Sequence, residues 1–359
     1  MQKICFDNSR KENFMREWEL CINDDITVRD AMKKINETQG KVLFLINKQN
    51  QLIAALSDGD IRRFLLSGGK LEERALKAAN KSPRFARNLD EAKVLFHKKN
   101  YLAVPIIDSL DVIQDIYLGN EKEQKKIILE VPVVINAGGK GTRLDPFTRV
   151  LPKPLIPVGD LPIIEHIMKQ YQQFGCEKFH VITNYKRQLL KAYFVENEDQ
   201  YDLVWYDEKK PLGTGGGLSL LKGKIQQTFF FTNCDILLQS NYESMLRFHK
   251  EHKNSITMIC AYKNLTIPYG VIEMGKDGCI VNIQEKPELS FLTNTGMYIV
   301  EPEILEDISE DEAIGFPDIV ERQRQKKRNV AVYPVSEHEW MDMGQMPELE
   351  KMRIRLYGD

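Results

Sequence analysis

The sequence predicts an α/β protein, a Rossmann-like and mostly parallel sheet with helices on both faces, preceded by a smaller α+β region. Three observations carry this reading. Apolar strands alternate with amphipathic helices from about residue 131 onward, a weak internal repeat occupies the first 120 residues, and the charged stretch 119-GNEKEQKK-126 stands between them as a solvated linker or frayed helix. The expected domains are therefore residues 1–120 and residues 127–359.

In the first region, 28-VRDAMKKI-35 with 42-VLFLINKQNQLIAALSDGDI-61 is echoed by 89-LDEAKVLF-96 with 102-LAVPIIDSLDVIQDIYL-118, so each half reads helix, strand, turn, strand. Ser57, Asp58 or Asp60 is placed to start the helix 60-DIRRFLL-66 as an N-cap. An offset of about sixty residues puts Tyr117 and Asn120 opposite Ser57 and Asp60. In the second region the strands are 131-VPVVIN-136, 179-FHVITN-184, 203-LVWY-206 and 228-TFFFTN-233, with helices from Ile163 to Phe174 and around Leu189. Ile163, Ile167 and Tyr171 fall on one helical face beside Ile164 and Met168, which marks the side that is buried. Such alternation places ligands at the C-terminal strand ends, where 137-AGGKG-141 and 233-NCD-235 lie.

Composition limits the function. The 50 Lys and Arg against 52 Asp and Glu give a formal net charge of -2, which argues against a nucleic-acid or membrane-surface binder. The six cysteines, Cys5, Cys21, Cys176, Cys234, Cys260 and Cys279, show neither zinc-ligand spacing nor a disulfide framework and suit a reducing cytoplasm. No leader-like N-terminus and no run of ~18 apolar residues is present, so a soluble cytoplasmic protein is expected.

The stretch 137-AGGKGTRLDPFTRVLPKP-154 carries the chemistry. Counting from Gly139 through Gly141, a dinucleotide fingerprint would want a third glycine where Leu144 stands, and a Walker loop would want Lys-Ser/Thr after its last glycine. What remains is a run of backbone N–H groups able to cradle phosphates, followed by Arg143 for a bidentate phosphate contact and Lys153 as a point charge, as a nucleoside triphosphate requires.

This stretch resembles the G-G-x-G-T-R-L…P-K-P signature of the sugar-1-phosphate nucleotidyltransferases. Further segments resemble that family in order: 212-LGTGGGL-218 its base-contacting loop, 233-NCD-235 its metal carboxylate, 285-EKP-287 with 294-NTGMY-298 its sugar-phosphate site, and 340-WMDMG-344 a second metal-site aspartate. The resemblance covers the chain from Ile127 onward. It implies catalytic roles for Arg143, Lys153 and Asp235, and nucleotide contacts from Ala137, Gly138, Gly139, Gly141, Thr142, Leu212, Gly213 and Thr214. It further implies sugar-phosphate contacts from Gly270, Glu285, Lys286, Asn294 and Thr295, and Mg²⁺ held by Asp235 and Asp342. In nucleotidyl transfer one anionic phosphate attacks another, so positioning and charge neutralisation dominate and no side-chain nucleophile is needed. Carboxylate oxygens such as those of Asp235 and Asp342 suit Mg²⁺.

The first 120 residues resemble a tandem CBS-domain pair, clearest in 52-LIAALSDGDIRRFLLSG-68, which implies a regulatory purine nucleotide near Ser57 and Asp60 or a dimerisation platform. The combination resembles the guanylyltransferases of bacterial legionaminic acid biosynthesis. It implies GTP and glucosamine 1-phosphate as substrates, GDP-glucosamine as product and a homo-oligomer, with mannose, heptose or glucose 1-phosphate and another NTP as alternatives. A non-catalytic CBS nucleotide sensor is the competing reading from another class, against which Arg143, Lys153, Asp235, Lys286 and Asp342 together speak.

Overall fold

The computed structural model describes residues 19–38, 42–99, 101, 103–118, 128–195 and 200–358; Cys5 and the 119–126 stretch lie outside them. The chain divides into two compact units, Met1–Lys125 and Lys126–Asp359.

In the first unit β1 (Cys21–Asn23) runs parallel to β2 (Val42–Ile46), which pairs antiparallel with β3 (Leu52–Ser57). Helix α1 (Val28–Glu37) joins the first two strands and α2 (Asp58–Leu66) follows the third. The second copy repeats the plan. Ala86 bridges Ile106 in parallel, α3 (Leu89–Lys99) follows, and β4 (Val104–Ile107) pairs antiparallel with β5 (Ile113–Tyr117). The two hairpin turns are built alike, because the side-chain oxygen of Asn47 accepts from Gln49 and Gln51 N–H while that of Asp108 accepts from Leu110 and Val112 N–H. Asn50 and Asp111 then take positive φ at matching places. The turns also bond to each other: Leu52 N–H donates to Asp111 O (2.9 Å) and Ile113 N–H to Asn50 O (3.2 Å). The pairs 50/111 and 52/113 fix the offset at 61 residues. This corrects the sequence alignment: the counterparts of Ser57 and Asp60 are Leu118 and position 121, the latter outside the described residues, rather than Tyr117 and Asn120.

The second unit is a seven-stranded sheet of order β10-β9-β6-β11-β16-β13-β17. Its elements in chain order are β6 (Val133–Ala137), α4 (Phe147–Val150), the small hairpin β7 (Pro157–Val158) and β8 (Leu161–Pro162), α5 (Ile163–Gln172), β9 (Lys178–Thr183), α6 (Arg187–Val195) and β10 (Asp202–Asp207). They continue with β11 (Phe229–Asn233), β12 (Ile236–Leu238), α7 (Tyr242–Glu251), β13 (Ile256–Thr266), β14 (Val271–Met274), β15 (Ile280–Gln284) and β16 (Glu288–Val300). The last are α8 (Glu303–Glu306), α9 (Phe316–Gln325), β17 (Val330–Ser336), β18 (Trp340–Asp342) and α10 (Met346–Tyr357). Only β16 runs against the other six strands, so the sheet is mixed but mostly parallel, as expected.

Period-two alternation feeds two cores. Val133 and Ile135 face Ile163, Ile167 and Tyr171 of α5, whereas Val134, Phe229 and Phe231 face Leu218, Phe316 and Ile319. The five apolar residues singled out on α5 are all buried. From β6 the chain moves to β9 and β10 on one side and returns to β11 on the other, so the topological switch lies between β6 and β11. Both motif loops, 137–141 and 233–235, leave the sheet there. Beyond the sheet, the distal halves of β13 and β16 and the β14–β15 hairpin form an exposed arm.

Candidate active site

Ala137 ends β6 buried, and Gly138 and Gly139 follow it. At Gly139 an added Cβ would find no heavy atom within 4 Å, so this backbone borders open space suited to a phosphate chain. Gly141 has φ +64, and its missing Cβ lets Thr148 and Lys153 close over the turn. The turn is locked by Leu144 N–H to Gly141 O (2.9 Å) and by Thr148 Oγ1 to the same oxygen (3.1 Å). Leu144, where a dinucleotide fingerprint would have its third glycine, is fully buried and anchors the loop. Thr142 and Arg143 remain exposed on it.

Lys153 and Asp235, distant in sequence, form a buried ion pair. Asp342 joins them through sheet register: β12 pairs with β18 so that Ile236 faces Asp342, and Met343 N–H donates to Asp235 O (2.9 Å). Burial opposes the charge on Lys153, but Asp235 and, more weakly, Asp342 hold its ammonium above the ordinary lysine value. Burial first and Asp235 second push the Asp342 carboxyl up, against the pull of Lys153 and Arg143. Two carboxylates thus share one buried ammonium. Among the described residues no group of three or more His, Cys, Asp or Glu could hold a metal ion. A pair of carboxylates beside an open phosphate cradle nonetheless fits Mg²⁺, which binds through one or two carboxylates and completes its shell with phosphate oxygens and water.

The loop after β10 forms the other wall. Ile314 N–H donates to Leu212 O (3.0 Å), while Gly215 and Gly216 N–H donate to Ile314 O (3.0 and 3.2 Å). Gly213, at φ +80, approaches Ile314 too closely for a side chain. The glycines of LGTGGGL therefore serve close backbone packing as well as any base contact. Asn136 Nδ2 donates to Thr214 O (3.3 Å), which ties this wall to the end of β6.

The sugar-phosphate candidates divide. Thr295 is buried at the irregularity in the β13–β16 pairing, and its hydroxyl donates to Ile259 O (2.7 Å). Its hydroxyl is therefore engaged within the fold, which leaves its backbone for the sugar-phosphate contact expected of it. Gly296, at φ +85, brings this bulge against Asn233, since an added Cβ would lie 2.6 Å from Asn233 Nδ2. Asn294 donates to Tyr298 Oη (2.6 Å) and accepts from Gly296 N–H (3.0 Å). Gly270, Glu285 and Lys286 lie together on the exposed arm, with Lys286 N–H donating to Tyr269 O (3.3 Å). The structure brings these three together, an added Cβ on Gly270 lying 3.0 Å from Glu285 Oε2.

Glu208 escaped the sequence analysis because it sits in the charged run 207-DEKK-210, which reads as a solvated turn. It is 3% exposed, its Oε1 has no hydrogen-bond partner, and burial raises its carboxyl to about 7 despite the N–H of Leu212. The only signal was its place directly after a strand and four residues before Leu212.

In the first unit Ser57 is the N-cap of α2: Ser57 Oγ accepts from Asp60 N–H (3.1 Å) and Asp60 Oδ2 from Ser57 N–H (2.8 Å). The same two residues line a cavity of about 490 Å³ with Arg63, Asn80, Arg84 and Tyr101. A cavity of about 730 Å³ in the second unit lies at the opposite strand ends from the candidate site, beside Val131, Lys178 and Gln227. No helix among the described residues is long and apolar enough to cross a membrane.

The nucleotidyl transferase family matches residues 132–356. Mannose-1-phosphate guanylyltransferase catalytic subunit beta of Drosophila pseudoobscura pseudoobscura is 30% identical over 223 residues, 59% of this chain and 58% of that protein. Mannose-1-phosphate guanyltransferase of Pichia angusta is 30% identical over 226 residues, 59% of this chain and 60% of its own length. The chain thus spans less than two thirds of these curated relatives. Among solved structures, HddC from Yersinia pseudotuberculosis aligns at a TM-score of 0.51 and 21% identity, covering 63% of this chain and 99% of that one. At that identity the likeness speaks to the fold, which it matches in the α/β nucleotidyltransferase architecture.

Proposed function

The chain belongs to the nucleotidyl transferase family, and we propose that it joins a nucleoside triphosphate to a sugar 1-phosphate, giving a nucleotide-sugar and pyrophosphate. The convergence of Lys153, Asp235 and Asp342 beside the open Gly139 cradle carries this reading. An oxygen of the sugar phosphate forms a bond to the α-phosphorus. The bond from that phosphorus to the α–β bridging oxygen breaks, and pyrophosphate leaves with the electron pair. The N–H groups of 138–141 hold the triphosphate, and exposed Arg143 takes the β- and γ-phosphates. Lys153, kept charged by its carboxylate neighbours, neutralises charge around the α-phosphate. Asp235 and Asp342 would hold Mg²⁺, which supplies charge neutralisation of the reacting phosphates. Asn294, beside the Gly296–Asn233 contact, together with Lys286 and Glu285 takes the sugar phosphate in this reading.

The substrates are a finer proposal. The mannose-1-phosphate guanylyltransferases among the relatives support GTP with mannose 1-phosphate. The N-terminal repeat, read as a CBS pair with a purine nucleotide in the cleft of Ser57 and Asp60, supports glucosamine 1-phosphate instead. A matrix of GTP, UTP, dTTP, CTP and ATP against mannose, glucosamine, glucose and heptose 1-phosphates, followed by pyrophosphate release, decides between them. Pyrophosphate in the GTP row supports guanylyl transfer and its sugar column names the acceptor; silence throughout the matrix removes the enzymatic reading.

A further inference from the structure

We infer that the cavity of about 730 Å³ at the N-terminal strand ends of the second unit is a binding site for a phosphate monoester of a small polyhydroxy compound, held by His180, Lys178 and Lys224. The nucleotidyl-transfer reading makes no use of it. β9 lies between β6 and β10, and the Cα partners of His180 on its two sides are Val134 and Val204. A histidine therefore stands where a strand covered on both faces asks for an apolar residue, and it is only 4% exposed. Its Nδ1 bonds Tyr206 Oη (2.9 Å), while Nε2 has no partner among the described residues. Burial raises the Tyr206 phenol, so the hydroxyl keeps its proton and donates to Nδ1, which leaves Nε2–H for the cavity that His180 lines.

Two ammonium groups complete the anion site. Lys178 begins β9, and Lys224 lies in the loop before β11 with its Nζ 4.7 Å from the centre of the Tyr206 ring. Neither lysine is ion-paired to a carboxylate among the described residues, although Glu130 and Glu177 also line the cavity. Burial first, then Lys178 and more weakly Lys224, hold the His180 imidazole down to about 4, with Asp202 pulling the other way. The imidazole is therefore neutral, and two facing cations lack a counter-charge. One N–H donor between two ammonium groups fits a phosphate dianion, to which lysine presents a point charge. Glu130 and Glu177 repel a bare anion but accept from hydroxyl groups, and Gln226 adds a donor and an acceptor. This rim favours a phosphorylated polyol over inorganic phosphate, with Val131 and Pro132 as an apolar wall for its carbon skeleton.

Calorimetric titration of the full chain with glucose 6-phosphate, inorganic phosphate, gluconate and glucose tests the ligand class. The imidazole Cε1–H resonance of His180, one of six histidines, tests the place. Glucose 6-phosphate should bind at least ~10-fold more tightly than inorganic phosphate or gluconate, and ~10²-fold more tightly than glucose. Bound phosphate supplies the missing counter-charge, so at saturation His180 should titrate at a higher pH than in the free protein. Lys178→Ala/Lys224→Ala removes two exposed side chains and should melt as the wild type does. That variant should bind glucose 6-phosphate at least ~10-fold more weakly, and its ligand-free His180 should titrate at a higher pH because two facing cations are gone. Glucose or gluconate binding as tightly as glucose 6-phosphate overturns the inference, as does full binding by the double variant. A His180 resonance that saturating glucose 6-phosphate leaves unmoved also overturns it. None of these readouts needs nucleotide or turnover, so their failure leaves the nucleotidyl-transfer reading standing, and a protein that releases no pyrophosphate leaves this site standing.

Discussion

Two glycines in the loops proposed to hold the nucleotide should respond oppositely to the same methyl group. At Gly216 an added Cβ runs into the carbonyl oxygen of Glu312, a backbone atom with nowhere to move while Ile314 is held by three hydrogen bonds from and to the loop. Relief requires displacing 312–316 and loosening the bonds between Ile314 and Leu212, Gly215 and Gly216. At about 1 kcal/mol for each bond, Gly216→Ala should lose roughly 2–4 kcal/mol of stability. For a unit of this size that lowers Tm by about 5–15 °C. Gly139→Ala meets no atom within 4 Å and carries no positive φ, so its stability should stay within about 0.5 kcal/mol of wild type. The methyl instead occupies the space where triphosphate oxygens would approach the backbone, and nucleotide affinity should fall at least ~10-fold. Scanning calorimetry paired with GTP titration reads both effects. A Gly139→Ala protein that binds GTP as tightly as wild type, or one that melts like Gly216→Ala, would refute the assignment of this loop as the phosphate cradle.

Lys153→Ala removes the one ammonium shared by Asp235 and Asp342, so it should destabilise the second unit by about 3–5 kcal/mol and abolish turnover, with Lys153→Arg recovering stability more than activity; melting curves and pyrophosphate assays separate the two. Asp235→Asn should keep the fold but reduce turnover at least ~10²-fold, and near-normal rates in Mg²⁺ would rule out its role. Glu301 is held below the usual carboxylate range, against the effect of burial, by hydrogen bonds from His249 (2.9 Å) and Thr228 (2.7 Å). Its stabilisation is therefore present above the unfolded value of about 4.3 and lost as pH falls through the lower folded value, so Glu301→Gln should flatten the acid limb of a stability–pH curve; an unchanged limb would place the titration elsewhere.

Sequence pattern made the centre of the sheet readable because its strands bury both faces, as 229-FFF-231 and Val133–Ile135 do, and because α5 shows its buried stripe at helical spacing. The capping box of Ser57 and Asp60 was equally legible, being a local contact. What the sequence hid depends on tertiary placement. The shared ammonium of Lys153 arises only when β12 and β18 pair, and Thr295 turns inward because the β13–β16 bulge needs its hydroxyl. Glu208 looked like one of four charges in a turn until two glycine loops closed over it. The repeat offset was blurred for a related reason: the turn hydrogen bonds, and not sequence likeness, set the register.

Attack at the α-phosphorus is the central step of the proposed reaction. The direct test is ³¹P NMR of the reaction of GTP with a hexose 1-phosphate carrying ¹⁸O in its non-bridging phosphate oxygens. Attack by the sugar phosphate on the α-phosphorus predicts that all label stays in the nucleotide-sugar, with unlabelled pyrophosphate as the other product. Labelled pyrophosphate, release of orthophosphate in its place, or an unchanged spectrum with every hexose 1-phosphate would contradict it.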